Sequence, residues 1–416
     1  MEIRVNPFDD RPLEDITQFV NRDPERARVD RLLDSAAAGH AQNLAILGED
    51  GMGKTSLVNY LRARAGVFPT VRAVHLPIDQ ETSAQSLAQA LSKRLLDSAR
   101  MGLGTYLLGL IGLGRADRLE AIRERLEDLN VEREYGVDFH LLNLLAMHES
   151  TTRPVGGADA WTATAETLAE LIACLSPQVR TVYVLLDEGQ YVARDSALTL
   201  LQRMRLLFQR APYAVCLAGT PPLFEQLNLL EPTFVNLFPE ANRLLLPPMG
   251  RTHVEELLER RLSPVRIGGS GTDPFLPEAV QRLTAASAGN PRYIVRCAAA
   301  ALDLALAEAG PGRALVVRSA HVAAAVQKVH AVLGLDQFLR LSEPRQLLAQ
   351  AVHAHPGASV TALAGILGKS KSVVARDVAA LTELGVLRRR RVGREVQVEA
   401  SAPIAAYFDG LEGGAR

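Results

Sequence analysis

Two short stretches of the sequence hold residues able to do chemistry together. The first is Gly48-Glu49-Asp50-Gly51-Met52-Gly53-Lys54-Thr55, which fits G-x-x-x-x-G-K-[ST]. Glycines at these positions let a backbone turn its N–H groups inward around an anion. A following helix adds partial positive charge from its N-terminus. Lys54 then neutralises phosphate oxygens, the Thr55 hydroxyl offers a ligand for Mg²⁺, and Ser56 takes a capping or packing role. The second stretch is Asp187-Glu188, at the end of the apolar run "TVYVLLDEGQ". An acid at a strand's C-terminal end can hold Mg²⁺ through water. A second acid beside it can polarise a water molecule against a terminal phosphate. Asp187 is assigned to the metal and Glu188 to the water.

The elements needed to position these groups are legible around them. "NLAIL" reads as a short buried parallel strand and "TSLVNYLRARAG" as a helix ended by glycine. A glycine loop of this kind does not by itself separate kinases, GTPases and ATPases. None of the five lysines starts the KxD of a guanine-specific motif, which disfavours GTP. Glu188 suits a water nucleophile better than a bound metabolite, which disfavours a small-molecule kinase. ATP with Mg²⁺ is the expected ligand pair. A further strand, "YAVCLAGT", ends in Thr220, whose hydroxyl either orients the attacking water or opens the "TPP" turn. The next strand, "NRLLLPPM", carries Arg243 near its start. In a ring or filament that arginine can reach a neighbour's phosphate; otherwise it is solvated or ion-paired.

At 416 residues the chain is too long for one ordinary core, so two or three domains are expected. Hydrophobic content is 48% and net charge −1, with mean hydropathy +0.05. A soluble globular protein is expected, and any nucleic-acid signal must be local. Cys174, Cys216 and Cys297 are far apart and form no CxxC pair, which argues against a disulfide framework or a zinc site. The N-terminal sequence has no apolar run, so a cytoplasmic location is expected. The glycine-rich stretch Met101 to Gly114 is too short to span a bilayer, which takes roughly 20 apolar residues. It is expected to be a surface insertion or a lipid or partner contact.

The set resembles an AAA+ or STAND-type P-loop ATPase, close to the Orc1/Cdc6-like and archaeal-ATPase group. "NPF" and "FVNRDPERARVDRLL" (Phe19 to Leu33) resemble that group's entry motif, F-x-G-R-x-x-E. By position, Val20, Arg22 and Glu25 match, and the resemblance implies that this segment lies over adenine. Asn21 stands where glycine is usual. After Met249 the apolar spacing becomes helical, and the segment resembles the AAA+ lid. Within it "GNPR" resembles the sensor-2 region, which implies that Arg292 couples nucleotide state to lid angle; otherwise Pro291 merely starts a helix and leaves Arg292 exposed. The resemblance extends from Asn6 to about Gly310 and implies an αβα sandwich with a parallel sheet.

From about Asp336 the pattern changes to three helices and a hairpin around Val392-Gly393, a winged helix-turn-helix. Between Lys369 and Arg394 lie eight basic residues and two acids, Asp377 and Glu383. Lys369, Ser370, Lys371, Ser372 and Arg376 are expected to face a major groove, and Arg388, Arg389, Arg390, Arg391 and Arg394 to straddle phosphates. Double-stranded DNA is the expected partner; winged helices also dock proteins.

The expected organisation is an ATPase core over 1–250 with an insertion at about 82–152, a helical lid over 251–335 and a winged helix over 336–416. Three functions remain open. The first is an ATP-hydrolysing DNA-binding protein whose nucleotide state controls DNA binding or assembly. The second is a STAND-type signalling switch that oligomerises and docks protein. The third is an ATP-sensing DNA-binding regulator without turnover. A homo-oligomer through Arg243 and a protein partner through the 82–152 insertion are further expectations.

Overall fold

The computed structural model describes residues 2–3, 5–9, 11–13, 19–76, 179–192, 198–209, 213–309, 315–392 and 395–413, with a few positions between 78 and 94. The Met101–Gly114 stretch, Cys174, Arg394 and most of the 82–152 insertion lie outside the described residues. Among the described residues no helix is long and apolar enough to cross a membrane. The chain divides into two compact units, Pro12–Pro247 and Met1–Arg11 with Pro248–Arg416.

The unit Pro12–Pro247 is built on a five-stranded parallel sheet. Its strands are β2 (Leu44–Leu47), β3 (Val71–Leu76), β4 (Thr181–Leu186), β5 (Tyr213–Gly219) and β6 (Arg243–Leu245), in the order β3-β4-β5-β2-β6. Every residue of β2, β4 and β5 is buried. Such unbroken apolar runs suit central parallel strands covered on both faces. Period-two alternation divides them between two cores. Val182, Val184, Leu186, Val215 and Leu217 pack on one face, against α3 (Leu198–Phe208), α4 (Leu223–Leu230) and the short α5 (Pro232–Val235). Leu44, Ile46, Tyr183, Leu185 and Cys216 pack on the other, against α1 (Asp23–Ala37) and α2 (Lys54–Ala65). Cys216 is a free, buried thiol, and so is Cys297 of the other unit, as expected for small core residues.

In the second unit the N-terminal residues act as a strap. β1 (Glu2–Ile3) pairs antiparallel with β7 (Arg266–Ile267). Phe8 packs edge-on against Phe275, and Asn6 Nδ2 donates to Asp303 Oδ1 at 2.7 Å. Four helices carry most of this segment: α6 (Arg251–Leu262), α7 (Pro277–Ser287), α8 (Pro291–Glu308) and α9 (Ser319–Leu339). Asn290 caps α8 by accepting from the Tyr293 N–H. Three shorter helices follow: α10 (Glu343–Ala354), α11 (Val360–Leu367) and α12 (Lys371–Glu383). Gly368 closes α11 in the left-handed conformation at φ 62°. An antiparallel hairpin, β8 (Leu387–Val392) with β9 (Glu395–Ala400), completes the order of a winged helix-turn-helix. One core holds it, with Leu348, Leu363, Val374, Val378, Leu381, Leu387 and Val398 buried together.

A last helix, α13 (Ala402–Gly413), crosses α9. A Cβ built on Gly334 of α9 would sit 2.0 Å from the Pro403 carbonyl oxygen. Alanine improves a helix interior by about 1 kcal/mol over glycine. A clash with backbone costs more, because no rotamer can relieve it. Gly334→Ala is therefore expected to lower the unit's stability by about 1–3 kcal/mol, measured by thermal denaturation. An increased melting temperature would show that α13 is not held at this crossing.

Candidate nucleotide site and basic surface

The glycine loop leaves β2 at the C-terminal edge of the sheet. Gly48 N–H donates to the Gly219 carbonyl at 3.1 Å, which ties the loop's start to β5. Gly51 (φ 83°) and Gly53 (φ 90°) take the left-handed conformation that side chains disfavour. Gly53 is also the N-cap of α2 and supplies no side-chain cap. The first N–H groups of the helix therefore look to an external acceptor, as an anion site requires.

Lys54 is buried beneath this loop. Its ammonium donates to the carbonyls of Gly48 at 2.9 Å and Glu49 at 3.2 Å, and lies 3.5 Å from Asp50 Oδ1. Thr55 Oγ1 donates to Asp187 Oδ2 at 2.6 Å, joining residues 132 apart in sequence. The other carboxylate oxygen accepts from the Glu188 N–H at 2.9 Å. Both oxygens of Asp187 are thus held in place. Hydroxyl and carboxylate oxygens are the hard donors that Mg²⁺ takes, so Thr55 and Asp187 fit that ion. Bound there, Mg²⁺ would supply charge neutralisation at phosphate oxygens.

Glu188 is exposed and has φ 58°, an uncommon conformation for a residue with a Cβ. The chain turns at Glu188 because Gly189 descends against β5: a Cβ there would meet the Ala218 carbonyl at 2.8 Å. The Gln190 amide donates to the Glu188 carboxylate. The sequence reading missed both neighbours, since neither type marks a reaction by itself. Thr220 follows the Leu47–Gly219 register pair, at the same sheet edge as the glycine loop. Its carbonyl accepts from the Leu223 N–H at 3.0 Å, so the turn role is present. Its side chain is partly exposed.

The entry segment packs beside the glycine loop. Val20 is buried, and Arg22 is only 2% exposed. Arg22 Nη2 donates to the Met52 carbonyl at 3.2 Å and Nη1 to the Pro247 carbonyl at 2.9 Å. Glu25 Oε1 lies 3.9 Å away. Burial pulls the Arg22 pKa below its ordinary value, and the Glu25 carboxylate opposes this. Asn21 has φ 52°, a left-handed conformation that asparagine adopts more readily than most residues with a Cβ. Ser56 Oγ accepts from the Leu13 N–H at 3.2 Å, a packing role rather than a cap.

Arg243 makes contacts within its own chain. Its Nε donates to the Phe238 carbonyl at 3.0 Å and its Nη2 to the Val235 carbonyl at 3.4 Å. The guanidinium also lies 4.7 Å from the centre of the Phe224 ring. Arg292 is exposed in the first turn of α8.

On the C-terminal region, Ser370 caps α12 by accepting from the Val373 N–H, and its hydroxyl lies 3.1 Å from that of Ser372. Lys371, Ser372 and Arg376 are exposed, and Lys369 is half-buried. Asp377 is held by Arg345 of α10 at 3.4 Å. Among the described residues no carboxylate lies within ion-pair distance of Lys369, Lys371 or Arg376. Arg388, Arg389, Arg390 and Arg391 are all exposed on β8.

A parallel sheet with a glycine loop leaving one of its inner strands, and a hydroxyl–carboxylate pair at the strands' C-terminal ends, defines a P-loop domain. Residues 18–218 match the model of the AAA ATPase domain family, and residues 340–402 match that of the family described as HVO_A0114. Over residues 18–218 the chain is similar to the AAA ATPase domain family, and its fold is Orc1/Cdc6-like. It is 24% identical over 409 residues to an uncharacterized HTH-type transcriptional regulator, MJ0774, of Methanocaldococcus jannaschii, covering 96% of this chain and 91% of that one. The Orc1 protein of Aeropyrum pernix, solved in complex with DNA, aligns with TM-score 0.61 at 17% identity, over 98% of this chain and 94% of that one. The Walker-type ATPase of Pyrococcus abyssi aligns with TM-score 0.50 at 12% identity, over 97% and 99%.

Proposed function

We propose that this protein binds ATP with Mg²⁺ in the Gly48–Thr55 loop and hydrolyses it slowly. We further propose that it binds double-stranded DNA through its C-terminal three helices and hairpin, with nucleotide state controlling DNA binding or assembly. The observation that carries the reading is the 2.6 Å contact between Thr55 and Asp187 beside the buried Lys54. A phosphate chain in the loop meets the Lys54 ammonium and the α2 N–H groups at one end, and the metal-holding pair at the other. Glu188 stands next along the chain to orient a water molecule, and Thr220 lies at the same sheet edge. In this reading residues 1–250 form the ATPase core, 251–335 a lid carrying Arg292, and 336–416 a winged helix.

The basic run from Lys369 to Arg391 supports the DNA half. So do the DNA complex of the Aeropyrum protein and the name of the Methanocaldococcus regulator. Fluorescence anisotropy with duplex DNA at two salt concentrations, without nucleotide, with ADP and with a non-hydrolysable ATP analogue, tests both halves. Salt-sensitive binding that changes severalfold with the nucleotide is expected. Lys54→Ala should keep DNA binding and lose its response to nucleotide. Absence of binding in every state would overturn the DNA assignment and leave the winged helix a protein-docking module.

A further inference from the structure

Four consecutive arginines, Arg388 to Arg391, look equivalent in sequence. On a strand they cannot be, because successive side chains point to opposite faces. The hairpin register sets Arg388 opposite Glu399, Arg389 opposite Val398, Arg390 opposite Gln397 and Arg391 opposite Val396. One face therefore carries Arg388 and Arg390 together with Gln397 and Glu399. Arg390 Nη1 lies 3.7 Å from Glu399 Oε1. Arg388 also acts electrostatically on His330 of α9, whose pKa burial and that arginine both lower. The charges on this face are thus partly answered by a carboxylate within the hairpin.

The other face carries Leu387, Arg389 and Arg391, with Val396, Val398 and Ala400 across from them. Leu387 and Val398 enter the core that also holds Val374, Val378 and Leu381 of α12. This is the face on which the third helix packs. Arg389 and Arg391 extend it beyond the core and are exposed. Among the described residues neither has a carboxylate within ion-pair distance. Their charges lie on the same side of the hairpin as α12, with Lys369, Lys371 and Arg376. An exposed ion pair is worth only about 0–1 kcal/mol, so the single Arg390–Glu399 contact does not decide the matter. The partition of charge between the two faces does.

We infer that the wing meets a nucleic-acid backbone through Arg389 and Arg391, whereas Arg388 and Arg390 stay in the hairpin's own cross-strand pairing. The inference rests on the DNA-binding reading above. Two charge-matched double variants separate the faces. Arg389→Gln/Arg391→Gln and Arg388→Gln/Arg390→Gln each remove two positive charges from the same strand. Long-range attraction therefore falls equally in both, and only lost phosphate contacts distinguish them. Each contact contributes about 0.9 to the slope of log Kobs against log salt on duplex DNA. The 389/391 pair is expected to reduce the slope by about 2 and the 388/390 pair to leave it nearly unchanged. Arg389→Lys/Arg391→Lys preserves charge on similar side chains and is expected to keep the wild-type slope, which guards against misfolding of the glutamine pair. Equal losses in the two glutamine variants, or loss in the lysine variant, would overturn the inference. Wild-type protein with no salt-dependent DNA binding would instead overturn the reading on which it rests.

Discussion

Glu188→Gln is expected to slow ATP turnover by about 10²–10³-fold, within the usual contribution of a positioned general base. Nucleotide affinity should change less than about twofold, since the proposed phosphate-binding groups are Lys54, Thr55 and the loop N–H groups. The substitution is nearly isosteric. It keeps the backbone at φ 58° and a side-chain oxygen for the Gln190 amide. It also keeps the Glu188 N–H donating to Asp187, so the Thr55–Asp187 contact is undisturbed. Only the carboxylate's ability to take a proton is lost. Steady-state phosphate release and equilibrium binding of a fluorescent ATP analogue would separate the two effects. Unchanged phosphate release would remove Glu188 from the chemistry and favour a regulator that senses ATP without consuming it. A parallel loss of affinity would mean that Glu188 helps to shape the loop.

The left-handed conformation at Glu188 bears on the same point. It costs roughly 1–2 kcal/mol in a residue with a Cβ. Gly189 explains the turn, being pressed against the Ala218 carbonyl, but it does not explain why a glutamate occupies the strained corner. A glycine would relieve the strain and a serine would suit a surface turn. A carboxylate held there, one residue beyond the Asp187 that contacts Thr55, is what the proposed role in hydrolysis requires.

How much of this was legible in the sequence depends on the range over which each feature is set. The buried strands β2, β4 and β5 announce themselves as unbroken apolar runs, and the glycine loop as spaced glycines with a lysine. The edge strand β3 does not, because Arg72 and His75 interrupt its apolar residues. The wing arginines look alike until the register assigns them to faces. Arg22 is expected near the base only through the entry-motif resemblance, and Arg243 either as a finger or as a solvated or ion-paired group. The structure turns both onto backbone carbonyls: Met52 and Pro247 for Arg22, Phe238 and Val235 for Arg243. Those carbonyls belong to turns whose positions only the folded chain defines. Asn21 shows the reverse case. It stands where glycine is usual in the entry motif, and it takes a left-handed backbone that favours glycine.

Arg22→Ala is expected to lower the melting temperature and nucleotide affinity together. The guanidinium is almost wholly buried and ties the glycine loop to the end of the sheet through two carbonyls. Removing it leaves these acceptors without donors, at about 1–3 kcal/mol each. A loss of about 3 kcal/mol corresponds to roughly 6–12 °C in a domain of this size. The Met52 carbonyl lies within the loop, so its release should also weaken phosphate binding by at least about tenfold. Arg22→Lys should rescue little, because one ammonium lacks the planar fork that spans two carbonyls. The entry-motif resemblance makes a different prediction, in which Arg22 acts on the base. Comparing ATP with inorganic triphosphate separates the two. A latch on the loop weakens both ligands in parallel and lowers the melting temperature. A base contact weakens ATP alone and leaves stability unchanged, and that result would return Arg22 to the adenine.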